Sequence, residues 1–179
     1  MTYDDLVIKP TEDTVSIRRL IKVDHEKLLE SMTSFTSRLT EEVSQIGLRW
    51  ANEFEGITDL RDKTVNIHGY GSSDFRTWQP GTELLQSISS EIGIRDYGRV
   101  RMLKIPPQKC YTFHHDPDLY RVHIPLITNS GAFFIVDGKL WHLETGYAYL
   151  VKVKDFHTAI NTGKEDRVHI VYDRCDYLL

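Results

Sequence analysis

The chain has 179 residues, of which 40% are hydrophobic and 27% charged, with 11 Gly and 6 Pro. That balance excludes a disordered, collagenous or coiled-coil bulk. Against 26 acidic residues stand 22 basic ones, a net charge of −4, so no basic field exists to hold phosphate backbones and nucleic acid is excluded as a first guess at a partner. No apolar run approaches the roughly 18–20 residues of a membrane span, and the start MTYDDLVIKP lacks a basic-then-apolar leader, so a cytoplasmic protein without a membrane partner is expected. The two cysteines, Cys110 and Cys175, read as free thiols.

At roughly 100–200 residues per domain the length predicts one domain over residues 1–179. Its halves are unlike. Residues 1–97 carry 11 basic and 17 acidic side chains, whereas residues 98–179 carry 11 and 9 and hold six of the eight histidines. The front half, 1–97, is read as a helical and mixed scaffold, and the back half, 98–179, as the half whose clustered histidines need a reason.

In chain order, Asp24 can cap a helix whose apolar positions Leu28, Leu29, Met32, Phe35, Leu39, Val43 and Ile46 recur at steps of three and four. Thr64 to His68 alternates as a strand. Thr82 to Ile92, with Gly93 behind it, reads as a second helix with a start and a stop. After Gly98 the period changes to two. Strands are predicted at Arg99 to Ile105, Tyr111 to Asp116, Tyr120 to Ile127, Ala132 to Val136, Tyr147 to Val153 and Arg167 to Tyr172, separated by Pro, Gly and Asn turns. Helices in front and many short strands behind predict an α+β chain with a sandwich or jelly-roll core.

The chemistry gathers in the back half. In FHHDPD, His114 and Asp116 stand two residues apart and share a strand face, while His115 points the other way. His157 follows 43 residues later. Two imidazoles and one carboxylate can hold a metal with positions left open, the arrangement of non-haem Fe(II) oxygenases, although such a pair also arises by coincidence. Arg167 and His169 share one face of EDRVHIVYD, and Arg121 and His123 one face of YRVHIPLI. An inward arginine needs an anion, either a diacid ligand gripped bidentately or a neighbouring Asp or Glu. His169, Tyr147 and Tyr149 read as packing, and Asn129 and Asn161 as turn residues. Gly69 to Ser73 reads as a turn or flap near the site entrance, with Arg76 and Trp78 beside it.

The order HHDPDLYRVHIPLITN, then GKLWHLETGYAYLVKVKDFHTAINTGKEDRVHIVYD, resembles the aspartyl/asparaginyl β-hydroxylase family of 2-oxoglutarate- and Fe(II)-dependent oxygenases, which includes proline-hydroxylase-like members. The resemblance covers Arg99 to Asp173. It implies a double-stranded β-helix, a cupin-like jelly-roll variant, behind N-terminal helices. It places the metal ligands on His114, Asp116 and His157, the arginine for the far carboxylate of 2-oxoglutarate on Arg167, and an arginine and histidine near the chelating end on Arg121 and His123. The implied reaction hydroxylates an Asp, Asn or Pro side chain, free or peptidyl, with O2 and 2-oxoglutarate giving succinate and CO2. Some relatives lack the carboxylate ligand, and the presence of Asp116 leans toward the proline-hydroxylase-like members. The competing reading is a cupin-like metal protein or an oxygenase that uses no 2-oxo acid.

Overall fold

A computed structural model of the chain describes residues 6–51, 75–94, 98–117, 119–173 and 175. In order these form β1 (Val7–Ile8), β2 (Ile17–Lys22), α1 (His25–Ser31), α2 (Thr33–Thr36), β3 (Gln45–Ala51), β4 (Phe75–Trp78) and α3 (Glu83–Ile92). Behind them come β5 (Val100–Ile105), β6 (Lys109–Cys110), β7 (Tyr120–Ile127), β8 (Ala132–Val136), β9 (Lys139–Trp141), β10 (Tyr147–Lys152), β11 (His157–Asn161) and β12 (Arg167–Tyr172). Two sheets result, a five-stranded one in the order β1-β9-β8-β11-β6 and a seven-stranded one in the order β2-β10-β7-β12-β5-β3-β4.

Strand parity sorts the central strands of the larger sheet. From β5, β7 and β12, the side chains of Val100, Met102, Val122, Ile124, Leu126, Ile170 and Tyr172 pack against Leu28, Met32, Phe35, Leu85 and Ile88 of the helices. The opposite parity sends Arg101, Arg121, His123 and Arg167 to the other face, where all four line a cavity that the smaller sheet closes. One end of the space between the sheets is apolar, filled by Ile17, Ile105, Phe134, Val136, Trp141, Tyr149 and Val151. The other end holds the polar groups. One face of each strand therefore supplies the core and the other the site.

The structure changes several expectations. The first helix does not run on to Ile46: Asp24 does cap it, accepting from the Lys27 amide at 3.2 Å, but α1 stops at Ser31 and α2 at Thr36. Hydroxyls of Ser31, Thr33, Thr36 and Ser37 bond back to carbonyls three or four residues earlier, a pattern that bends and weakens helices. Leu39 and Val43 still pack on the core, and Ile46 does so from β3. The stretch from Tyr111 to Asp116 is not a strand. It follows β11, but the Tyr111 carbonyl accepts from Thr158 Oγ1 at 2.6 Å and the Thr112 carbonyl from the His114 ring at 2.8 Å, so side chains take the ladder's acceptors. Thr82 starts α3 with its hydroxyl turned back to the Gln79 carbonyl, and Gly93 ends it in the left-handed region at φ 83°. The predicted strand over Thr64 to His68 lies outside the described residues, as does the stretch Gly69 to Ser73. The front half also gives β2, β3 and β4 to the larger sheet.

Candidate active site

The site is built on a pair of residues 43 positions apart. The His114 amide donates to the His157 carbonyl at 3.1 Å and the His157 amide to the His114 carbonyl at 2.9 Å, an isolated antiparallel bridge. Residues directly opposite each other in such a pair project to the same side, and the two rings lie 4.4 Å apart between centroids. Each ring is oriented by its own backbone. His114 Nδ1 lies 2.8 Å from the Thr112 carbonyl and His157 Nδ1 2.9 Å from the Asp155 carbonyl. A carbonyl only accepts, so each Nδ1 carries the proton and each Nε2 keeps a free lone pair. Those lone pairs meet Asp116, whose Oδ2 is 3.5 Å from His157 Nε2 and 4.0 Å from His114 Nε2. All three ligand atoms fall within 4.8 Å of one another. Among the described residues this is the one His, Cys, Asp and Glu group with such geometry.

Burial works to raise the Asp116 pKa, but the Arg121 charge beside it counters this, and the carboxyl is held below its usual value. Arg121 lies across two acids, with Nη1 2.5 Å from Asp116 Oδ2 and Nε 3.0 Å from Asp173 Oδ1. Asp173, just past β12, also takes Arg99 Nε at 2.8 Å and Arg101 Nη2 at 3.4 Å. Burial alone would raise this carboxyl as well, and three guanidiniums hold it far below the ordinary carboxylate range. Asp173, Arg99 and Arg101 were not singled out from the sequence. The available signal was the Arg-x-Arg alternation entering β5, which asks for an anion on that face.

Arg167 is 2% exposed. No carboxylate of the described residues pairs with it; its guanidinium lies 4.7 Å over the Phe134 ring and its Nη2 donates to His169 Nδ1 at 3.1 Å. Burial pushes it down to about 10, and the Tyr111 phenol opposes that shift. His123 is buried with Nδ1 unpartnered, its ring edge-on to Phe134 at 4.9 Å. Burial, then the Arg167 charge, lowers its pKa well below the usual value and keeps it neutral. Together His114, Asp116, His157, Arg121, His123 and Arg167 line one cavity of about 380 Å³.

The remaining candidates fall elsewhere. His115 is exposed, its ring 5.3 Å from that of Phe156. His142 bonds the Ala132 carbonyl and packs on Phe133. Tyr149 is core, and Tyr147 packs beside it. Of Arg76 only the backbone is described, in β4. Asn129 and Asn161 do more than turn the chain. Asn129 Nδ2 donates to Asn161 Oδ1 at 3.2 Å, and both amides donate to the Glu165 carbonyl. They fasten the β7–β8 turn to the segment that leads into Arg167.

Such a donor set between paired sheets is consistent with the two-histidine, one-carboxylate metal site of non-haem Fe(II) oxygenases. The sequence profile of the Aspartyl/Asparaginyl beta-hydroxylase family matches residues 65–176, beginning before the point where the sequence resemblance starts. The chain belongs to that family and is thereby an enzyme of the 2-oxoglutarate- and Fe(II)-dependent oxygenase class. Solved structures share the fold at low identity. A 2OG-Fe(II) oxygenase family oxidoreductase from Burkholderia pseudomallei aligns with a TM-score of 0.61 and 13% identity over 93% of this chain and 92% of its own. The viral collagen prolyl hydroxylase of Paramecium bursaria Chlorella virus-1, in its 2OG complex, aligns at 0.55 and 8% over 89% and 96%. AviO1 of Streptomyces viridochromogenes aligns at 0.52 and 13% over 88% and 89%. No curated protein matches in sequence. No described helix is long and apolar enough to cross a membrane.

Proposed function

We propose that His114, Asp116 and His157 hold Fe(II), that Arg167 binds the far carboxylate of 2-oxoglutarate, and that the enzyme hydroxylates an amino-acid side chain, free or within a peptide. The donor set fits the metal: two Nε2 lone pairs and one ionised carboxylate converge, with both rings oriented through Nδ1 by backbone carbonyls. The observation that carries the co-substrate is Arg167, a guanidinium buried in the cavity wall without a carboxylate partner among the described residues. A buried cation in that condition is costly unless an anion completes it, and a planar fork suits a carboxylate.

When bound, iron and 2-oxoglutarate supply oxidative decarboxylation to succinate and CO2 coupled to hydroxylation of a substrate C–H bond. The chain's own groups do the positioning. His169, accepting from Arg167 through Nδ1, fixes the guanidinium over Phe134. His123 lines the same cavity as a neutral imidazole, and its buried Nδ1 has no partner. Arg121 steadies the Asp116 carboxylate through Oδ2, the oxygen that also faces the two histidines. The test is the melting temperature with Mn(II) as a redox-inert stand-in, with and without 2-oxoglutarate. At a hundred times its Kd a ligand adds about 2.7 kcal/mol, which is roughly 5–10 °C for a chain of this size. A rise with 2-oxoglutarate that requires Mn(II) is expected. A rise with the metal alone, unaffected by 2-oxoglutarate, would instead establish the cupin-like alternative.

A further inference from the structure

The smaller sheet ends in an open edge beside the candidate metal ligands. Its strand order closes on β6, so no strand of that sheet pairs with the far side of the chain that runs from Lys109 through the bridge at His114. The bridge to β11 uses the amide and carbonyl of His114; those of His115 point the other way, off the sheet. Neither Phe113 nor His115 has a backbone hydrogen bond among the described residues. An uncovered edge of this kind is a template for pairing with another chain, and sheets that must not pair blunt it with charge or proline. Here the residues are Phe, His and His.

Side chains at this edge go to two sides. His114 lines the cavity and its side chain is still 40% exposed, so the edge runs along the cavity mouth. Phe113, His115 and Phe156 line no part of the cavity. The rings of His115 and Phe156 lie 5.3 Å apart, one step along from the bridge. Phe113 is 58% exposed and Phe156 65%, and each immediately precedes a ligand histidine. A single exposed apolar side chain needs no account, but two rings flanking one unpaired edge mark a contact surface.

Strand geometry says what fits. A residue laid opposite His114 projects to the same side as that imidazole, toward the metal, while its two chain neighbours project outward, one beside Phe113 and one beside the His115–Phe156 pair. A free amino acid has no such neighbours. A second copy of the chain fits less well, because an edge this short, paired about a two-fold axis, covers far less than the roughly 1,200 Å² of a stable interface. A peptide also buries its reacting side chain in the cavity of about 380 Å³.

We propose that the substrate is a peptide added as a strand to the edge at Phe113–His115, with the residue opposite His114 presented to the metal and apolar neighbours seated against Phe113 and Phe156. The inference rests on the oxygenase reading just given and names the substrate class of that site.

The test selects binders from a display library of random peptides against the full chain loaded with Zn(II), which is redox-inert and diamagnetic, and 2-oxoglutarate. Selected peptides are expected to carry apolar residues two positions apart, and Phe113→Ser and Phe156→Ser each to weaken them by about tenfold or more, the cost of losing an aromatic anchor, with Phe113→Tyr restoring most of the affinity. In wild type, binding should slow hydrogen exchange of the His115 amide, a readout that needs no variant. A library that yields no binder overturns the proposal, as do binders indifferent to both serine variants or a His115 amide that stays unprotected. A concentration-dependent dimer in sedimentation, dissolved by either serine variant, would give the edge to a second copy and overturn it as well. A missing 2-oxoglutarate-dependent melting shift in wild type sinks the parent assignment; a normal shift without peptide binding sinks only the docking edge.

Discussion

Arg121 Nη1 stands 2.5 Å from Asp116 Oδ2, while Nε of the same guanidinium stands 3.0 Å from Asp173 Oδ1. The carboxylate among the candidate metal ligands is thereby tied to the arginine cluster of β5 and β7. Disturbing Asp173 should be felt in stability. Asp173→Asn leaves Arg99, Arg101 and Arg121 buried with a neutral partner, a loss of about 3–5 kcal/mol. The folded pKa of Asp173 is depressed, so its contribution is complete above the unfolded value and is lost as pH falls below about 4. Urea denaturation of both proteins across pH 3–7 should show a gap that is full at pH 7 and narrows at the acid end. A constant gap would mean that the carboxylate charge is not what stabilises the cluster.

His157→Ala removes the most buried of the three convergent donors. Mn(II) affinity, read by electron paramagnetic resonance, should fall by about 100-fold or more, and succinate formation with it. Undiminished turnover would remove His157 from the ligand set.

Arg167→Ala should separate co-substrate from metal. Truncating one partner of a buried charge pair costs about 2–5 kcal/mol, so the KM for 2-oxoglutarate should rise by roughly 30-fold or more with little change in Mn(II) affinity. Equal loss of both would report a collapsed fold instead.

Gly163→Ala probes the turn that leads into β12. An added Cβ would sit 2.0 Å from Asn129 Oδ1 and 2.6 Å from Asn129 Cγ. That amide cannot swing away freely, since it accepts from the Gly131 amide at 2.9 Å and donates to Asn161 Oδ1 and the Glu165 carbonyl. A loss of about 1–3 kcal/mol is expected in urea denaturation. Wild-type stability in the variant would show that the asparagine pair is loose in solution.

The strands that cross the larger sheet were legible because their two faces have different jobs. β7, β8 and β12 match the predicted bounds, and the parity that put Arg121 with His123 and Arg167 with His169 also holds in space. The same rule set His114 and Asp116 on one side, although the backbone there is bridge and loop rather than strand. Spacing misled at Ile46, because Leu39, Val43 and Ile46 reach the same core from a loop and a strand, and one-dimensional periodicity does not distinguish those routes from a helix face. Asp173 was invisible for another reason. A lone acid after a strand looks like a turn residue until folding brings arginines from β5 and β7 around it.

The reciprocal amide bonds between His114 and His157 also govern how the site responds to motion. If the loop carrying His114 shifts, the start of β11 is drawn with it and both imidazoles travel together, because each rides on a peptide unit clasped to the other's. Breathing elsewhere between the sheets then reaches the gap between their Nε2 atoms only by breaking that clasp, while Asp116 is anchored separately, its amide on the Val153 carbonyl and its carboxylate on Arg121.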